Sequence, residues 1–135
     1  MALQYSVAVR NAKLDAVETQ IGTSAVLKIR TGAVPASCAT ADSGTVVATL
    51  NLPSDWMNAA SGGTKTMLGS WADSSADAAG TAGHFRIYDS GGTVCGAQGT
   101  VTATGGGGDM TVDNTNFAAA QSFTITGFTL TAGNP

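Results

Sequence analysis

The chain reads as an all-β fold, a jelly-roll-like β-sandwich of about seven to eight strands with one N-terminal α-helix. Three observations predict it. Apolar residues alternate with Thr and Ser in short runs, separated by Gly, Pro and Asp turn signals. Charged residues make up 11% of the chain against 43% hydrophobic, with 18 glycines, so strand exteriors are built from Thr and Ser, not Lys and Glu. Helical spacing occurs convincingly only once, at the start, which argues against a doubly wound α/β fold with a helix between strands. The regular Val/Ile/Leu/Phe alternation opposes disorder. A chain of 135 residues suits one domain with a proper core, divided as an arm over 1–5, a helix over 6–22 and a sandwich over 25–132.

Ala2 to Tyr5 read as a short extended arm. Ser6 is placed to cap a helix and Gly22 to end it. Between them Val7, Leu14, Val17 and Ile21 share one side, with the Arg10 stem along the same stripe and Asp15, Glu18 and Gln20 facing elsewhere. A single-striped helix of about four turns serves either as a lid over an open end of the sandwich or as an element that docks on a partner. In Ala25 to Thr31, Leu27 and Ile29 alternate with Lys28 and Arg30, as in a half-buried strand. Residues Gly32 to Gly44 form a loop holding Pro35, Cys38 and Asp42. Thr45 to Leu52 is a second strand, with Val46, Ala48, Leu50 and Leu52 on one face, and Pro53 stops it.

Ser54 to Ala60 predict one helical turn capped by Ser54 or Asp55. Thr64 to Trp71 follow as a strand of weaker pattern, and 72–83 as a small-residue loop. The clearest hairpin is His84 to Val101. Phe85 and Ile87 point one way, His84, Arg86 and Tyr88 the other, and Asp89 to Gly92 turn the chain. Gly96 and Gly99 in the return strand predict a bulge or a close backbone approach. Gly105 to Gly108 read as a loop tip; no Lys-Ser/Thr and no helix follow to make a phosphate cradle. Asp109 to Asp113 is a short strand and Asn114 to Ala120 a loop. In the closing strand, Gln121 to Ala132, the apolar phase passes from Phe123 and Ile125 to Phe128 and Leu130 across Gly127. A one-residue slip of phase predicts a bulge there, or a crossing between two packed sheets.

Several function classes find no support. Net charge is −3, and Arg10, Lys13, Lys28, Arg30, Lys65 and Arg86 are scattered, so no electrostatic footprint for nucleic acid or an anionic membrane exists. No run of about 18 apolar residues is present to span a membrane as a helix, and the opening MALQYSVAVRNAKLDAVETQIG is not read as a signal peptide. His84, the single histidine, reads as an ordinary surface or groove residue, and no convergent set of acid, base and nucleophile is visible. Asp42, Asp73, Asp77, Asp89, Asp109 and Asp113 suit a hard cation chemically but lack D-x-D-x-D spacing. Cys38 and Cys95 with one histidine cannot supply four Cys/His zinc ligands within one chain. A bridge between them needs Cα atoms within about 7 Å, which sequence separation does not fix; without a secretion signal, two small buried thiols are expected. No catalytic residue, metal or cofactor is therefore assigned.

Trp56 and Trp71 read first as core, and also belong to the residue type most enriched at interface anchors. Tyr5 is the better interface candidate, because an arm has little core of its own to join. The candidate partner-binding residues are Ala2, Leu3, Gln4, Tyr5, Arg10, Trp56 and Trp71.

Four stretches together, LQYSVAVRNAKLDAVETQIGTSAVLKIRTGAVP, LPSDWM, GTAGHFRIYDSGGTVCGAQGTV and TITGFTLTAGNP, resemble a family of small virion proteins of tailed bacteriophages and prophages. The resemblance covers nearly the whole chain, and its most specific motifs are YS-x-x-VRNA-x-LDA-x-E and the T-x-TAGN tail. It implies a structural role in the virion, assembled in the host cytoplasm. A capsid decoration (cement) protein is implied first: a dimer or trimer that binds the major capsid protein lattice and braces the head, gaining avidity from several contacts at once. A tail, neck or fibre-attachment component that binds another tail protein or a receptor is the alternative. A hydrolase of envelope polymers would need paired carboxylates or a Cys/His set, and neither is read.

Overall fold

The computed structural model describes residues 2–133; Met1, Asn134 and Pro135, with the end of the T-x-TAGN motif, lie outside the described residues. Ser6 starts the helix α1 (Val7–Ile21): its Oγ accepts the Val9 N–H at 3.2 Å. Gly22, at φ 101°, ends it by donating its N–H to Glu18 O at 2.9 Å. Nine strands follow: β1 (Val26–Thr31), β2 (Val46–Asn51), β3 (Thr64–Thr66), β4 (Ala72–Asp73), β5 (Gly80–Tyr88), β6 (Cys95–Ala103), β7 (Met110–Val112), β8 (Asn116–Phe117) and β9 (Phe123–Thr131).

The protein is thus mostly β with one helix, as the alternation predicts. Its strands join in one sheet, in the order β2-β1-β5-β6-β7-β9-β3, with β4 also on β9 and β8 on β5. The sheet is curled into a half-barrel, where a two-layered sandwich was expected. Sharing of the long strands explains the continuity. β5 carries β1, β6 and β8 along its nine residues, and β9 carries β7, β3 and β4 along its own nine. Among the described residues only β6 and β7 run parallel.

Bulges supply the curl. Val47, Gly83, Gly96 and Thr126 are the extra residues at the register shifts of the β1–β2, β1–β5, β5–β6 and β7–β9 ladders. Each such insertion bends its strand and adds right-handed twist. The phase change around Gly127 is therefore a bulge: with Thr126 unpaired, Phe123, Ile125 and Phe128 all reach the core, and Leu130 packs partly against it. Gly96 acts a second time, because a Cβ there would collide with the Ile21 side chain; the bare backbone lets α1 dock on β6.

An aromatic chain runs through the interior, Trp56 to Trp71 at 6.1 Å between ring centroids, Trp71 to Phe128 at 5.8 Å and Phe128 to Phe85 at 5.4 Å. Leu14 and Ile21 of α1 are buried and Val17 partly so, but Val7 stands on the surface, so the apolar stripe of the helix is shorter than its spacing suggests. Asp15 and Glu18 do not face away. Both grip Lys65, at 2.8 and 3.1 Å, while Glu18 also accepts the Trp56 and Met57 N–H groups and Asp15 that of Ala60.

Those contacts explain why Ser54 to Ala60 form no helical turn. Their N–H groups are claimed by the carboxylates of α1, and Met57 bridges Met67. Three further boundaries shift. The strand expected over Thr64 to Trp71 ends at Thr66, the small-residue loop over 72–83 contains β4 and the start of β5, and the loop at Asn114 to Ala120 contains β8. Two-residue strands like β4 and β8 have no periodicity of their own; they exist because β9 and β5 offer partners.

Candidate functional site

The outer face of the β1–β5–β6 region is covered, and that cover is the main departure from the alternation. His84, Arg86 and Tyr88 do point away from Phe85 and Ile87, yet all three are buried, Arg86 with 2% of its surface exposed. The segment between β1 and β2, residues 32–44, lies over them as a strap. Asp42 holds it down. Its carboxylate accepts from Arg86 Nη1 at 2.7 Å and Tyr88 OH at 2.6 Å, and pairs with Arg30 Nη2 at 3.1 Å. Strap carbonyls accept three more donors: Ser37 O from Arg86 Nη2 at 3.0 Å, Pro35 O from Gln98 Nε2 at 2.7 Å, and Gly32 O from His84 Nδ1 at 3.0 Å.

A carbonyl only accepts, so His84 Nδ1 donates to Gly32 O, while Nε2 is buried and without a hydrogen-bond partner. Arg30 Nε is likewise buried and unpartnered, and Arg30 and His84 are cross-strand neighbours. His84 is therefore a strap anchor, not a surface or groove residue. The Tyr88 hydroxyl, first, and the Arg86 and Arg30 cations hold the Asp42 carboxyl below its ordinary value, against the opposing effect of burial. Burial, and then donation to Asp42, push the Tyr88 phenol up.

Cys38, in the strap, and Cys95, first residue of β6, meet here. Their Sγ atoms lie 2.8 Å apart as free thiols, and Cys95 Sγ is 3.5 Å from Ala97 O. Burial, and then the neighbouring Cys38 thiol, push Cys95 up to about 12. Both residues are half-buried. Cys95 also lines a groove of about 460 Å³ between α1 and the β5–β6 turn, together with Lys13, Val17, Ile21, Val94 and Gly96. A second opening, of about 470 Å³, lies where three-residue β7 leaves the rest of β6 and β9 apart, with Phe85, Gln98, Asp109 and Phe128 on its walls.

The candidate partner-binding residues divide into three groups. Ala2, Leu3, Gln4 and Tyr5 are exposed, Leu3 at 71%, and the Lys13 ammonium lies over the Tyr5 ring, 4.7 Å from its centroid. Arg10 is half-buried and structural: Nε donates to Ala132 O at 2.7 Å, and its guanidinium fills the space left by Gly63 at φ +78°. Trp56 and Trp71 lie in the core, with Trp56 Nε1 donating to Gly22 O at 3.0 Å, so neither ring offers a surface to a partner. Val7, expected on the apolar stripe, and Val9, not singled out by spacing, are exposed in the first turn of α1, at 50% and 44%.

Among the described residues no group of three or more His, Cys, Asp or Glu side chains gathers as a cation site. The loop aspartates close local turns or strand ends: Asp73 accepts the Ser75 N–H, Asp89 those of Thr93 and Val94, Asp109 that of Thr100, and Asp113 that of Thr124. Among the described residues no helix is long and apolar enough to cross a membrane. Comparison of the chain with protein-family models, with curated proteins and with solved structures finds no match.

Proposed function

We propose that this protein is a structural component of a bacteriophage virion, a capsid decoration (cement) protein that binds the major capsid protein lattice and braces the head. The observation that carries the reading is the sequence run of individually exposed apolar residues Leu3, Tyr5, Val7 and Val9, carried on a body fixed at that same corner. Arg10 ties α1 to Ala132, and Asn11 Oδ1 accepts the Gly63 N–H at 2.8 Å, so the run projects from a rigid base. A partner that covers it buries apolar surface with little conformational change in the body. The motif resemblance supports the virion setting. A weakly charged Thr/Ser exterior suits a protein packed among neighbours. In this reading the half-barrel is a distorted jelly-roll-like sandwich whose two halves face each other across the Trp56–Trp71–Phe128–Phe85 chain, and the working form is a dimer or trimer.

Deleting Ala2 to Tyr5, or replacing Tyr5→Ala, lowers occupancy on heads while the thermal unfolding of the free protein stays unchanged. Equal occupancy of truncated and full-length protein overturns the role of the arm. The exposed Gly105 to Gly107 tip favours a second reading, a tail, neck or fibre-attachment component. Counting labelled copies per particle separates the two, since decoration requires a copy number that scales with the capsid lattice.

A further inference from the structure

We propose that Cys38 and Cys95 form a disulfide that clasps the 32–44 strap to the outer face of the sheet once the protein leaves a thiol-reducing environment. The Sγ atoms lie 2.8 Å apart, so closing to an S–S bond of about 2.05 Å needs a shift of under an ångström between them. Both sides of the contact are positioned by other interactions. Cys38 follows Ser37, whose carbonyl takes Arg86 Nη2 and also the Thr40 N–H at 3.0 Å, which fixes the turn around the cysteine. Cys95 stands opposite Tyr88 beside the Gly96 bulge, and a bulge re-aims the side chains next to it. Asp42 accepts from Tyr88, the residue opposite Cys95, so the covalent link would complete an attachment already built on that stretch of β5.

Access comes from the groove beside α1, which Cys95 lines. A small-molecule disulfide of the glutathione class supplies the oxidant. The thiolate of one cysteine attacks it, forms a mixed disulfide and releases one thiol. The thiolate of the second cysteine then attacks the protein sulfur of that adduct, forms the Cys38–Cys95 bond and releases the second thiol. Two protons leave the protein, its two sulfurs are oxidised, and the reagent is reduced to two thiols. The high proton affinity of Cys95 makes closure slow near neutrality and faster in alkali. Disulfides are rare in a reducing cytoplasm and persist outside it. A head protein would therefore assemble with the clasp open and close it after release. That timing rests on the virion reading; the bond does not.

The test begins with reduced, full-length protein equilibrated with oxidised glutathione, followed by alkylation and peptide mass spectrometry. The expected product is an intramolecular Cys38–Cys95 link, lighter by two hydrogens and absent from Cys38→Ser and Cys95→Ser. Protease cleavage within 33–41 is expected to slow at least about tenfold on closure, because cleavage samples the opened strap. Thiols that both remain alkylatable, or that yield only glutathione adducts or linked dimers, overturn the site. A link that leaves cleavage unchanged overturns the clasp. Thiol trapping of the protein in cytoplasm and in purified particles then tests the timing. A bond that forms in the isolated protein, with no particle carrying the chain, refutes the virion reading and leaves the site standing.

Discussion

Replacing Asp42→Ala under reducing conditions tests whether the strap is held mainly by one carboxylate. Three donors converge on it: Arg86 Nη1 at 2.7 Å, Tyr88 OH at 2.6 Å and Arg30 Nη2 at 3.1 Å. Removing one partner of a buried ion pair typically costs about 3–5 kcal/mol, because the other charge stays desolvated. Two features lower that figure here. The Asp42 side chain is 43% exposed, so water screens part of the interaction. Arg86 also keeps Gln98 Oε1 at 3.1 Å and Ser37 O at 3.0 Å as acceptors. The expected loss is about 2–3 kcal/mol in urea unfolding, with faster proteolysis of the strap. Asp42→Asn, which keeps an acceptor for Tyr88 but no charge, falls between the variant and the parent.

The pH dependence follows in sign. Asp42 titrates below its ordinary 3.8 in the folded protein, so its contribution is complete above that value and disappears as pH falls through the lower, folded one. The parent therefore loses strap protection in acid, and Asp42→Ala shows a weaker acid dependence. A stability change under about 0.5 kcal/mol, the range of an ordinary surface substitution, with unchanged strap cleavage would refute the reasoning.

Glu18→Ala removes the acceptor of the Trp56 and Met57 N–H groups at 3.0 and 2.8 Å. Two unpaired amides at a mostly buried site predict a loss of about 2–4 kcal/mol, measured by chemical denaturation, with Glu18→Gln milder. Alkaline unfolding checks the same cluster. Burial lowers the Lys65 pKa, but Asp15 and Glu18 outweigh it and leave the amine raised above 10.5, so its contribution is complete below that value and lost as pH climbs through the folded one. A Lys65→Met variant should lack that alkaline step. Phe128→Ala opens the centre of the aromatic chain, between Trp71 and Phe85, and should cost about 3–5 kcal/mol. An unfolding midpoint close to that of the parent would show the site collapsing around the gap.

Local rules in the sequence determined the elements that own their signals. Ser6 and Gly22 bound α1 because capping is a contact within one turn. The alternation of β1, β5 and β9 assigned each side chain to a face, and the phase change beside Gly127 marked a bulge or a sheet crossing, because a strand's period is a property of its own backbone. The ladder of β7 and β9 makes that phase change a bulge. The same alternation sent His84, Arg86 and Tyr88 outward, and outward they point. What it could not determine is what lies over that face. Burial of those three residues comes from a strap closed by Asp42, more than forty positions away along the chain. The short strands β4 and β8, the interior place of Trp56 and Trp71, the joining of all nine strands in one sheet, and the meeting of two cysteines 57 positions apart were likewise decided by the tertiary structure. Each depends on pairing between distant segments, and a periodic pattern carries no information about the partner across the gap.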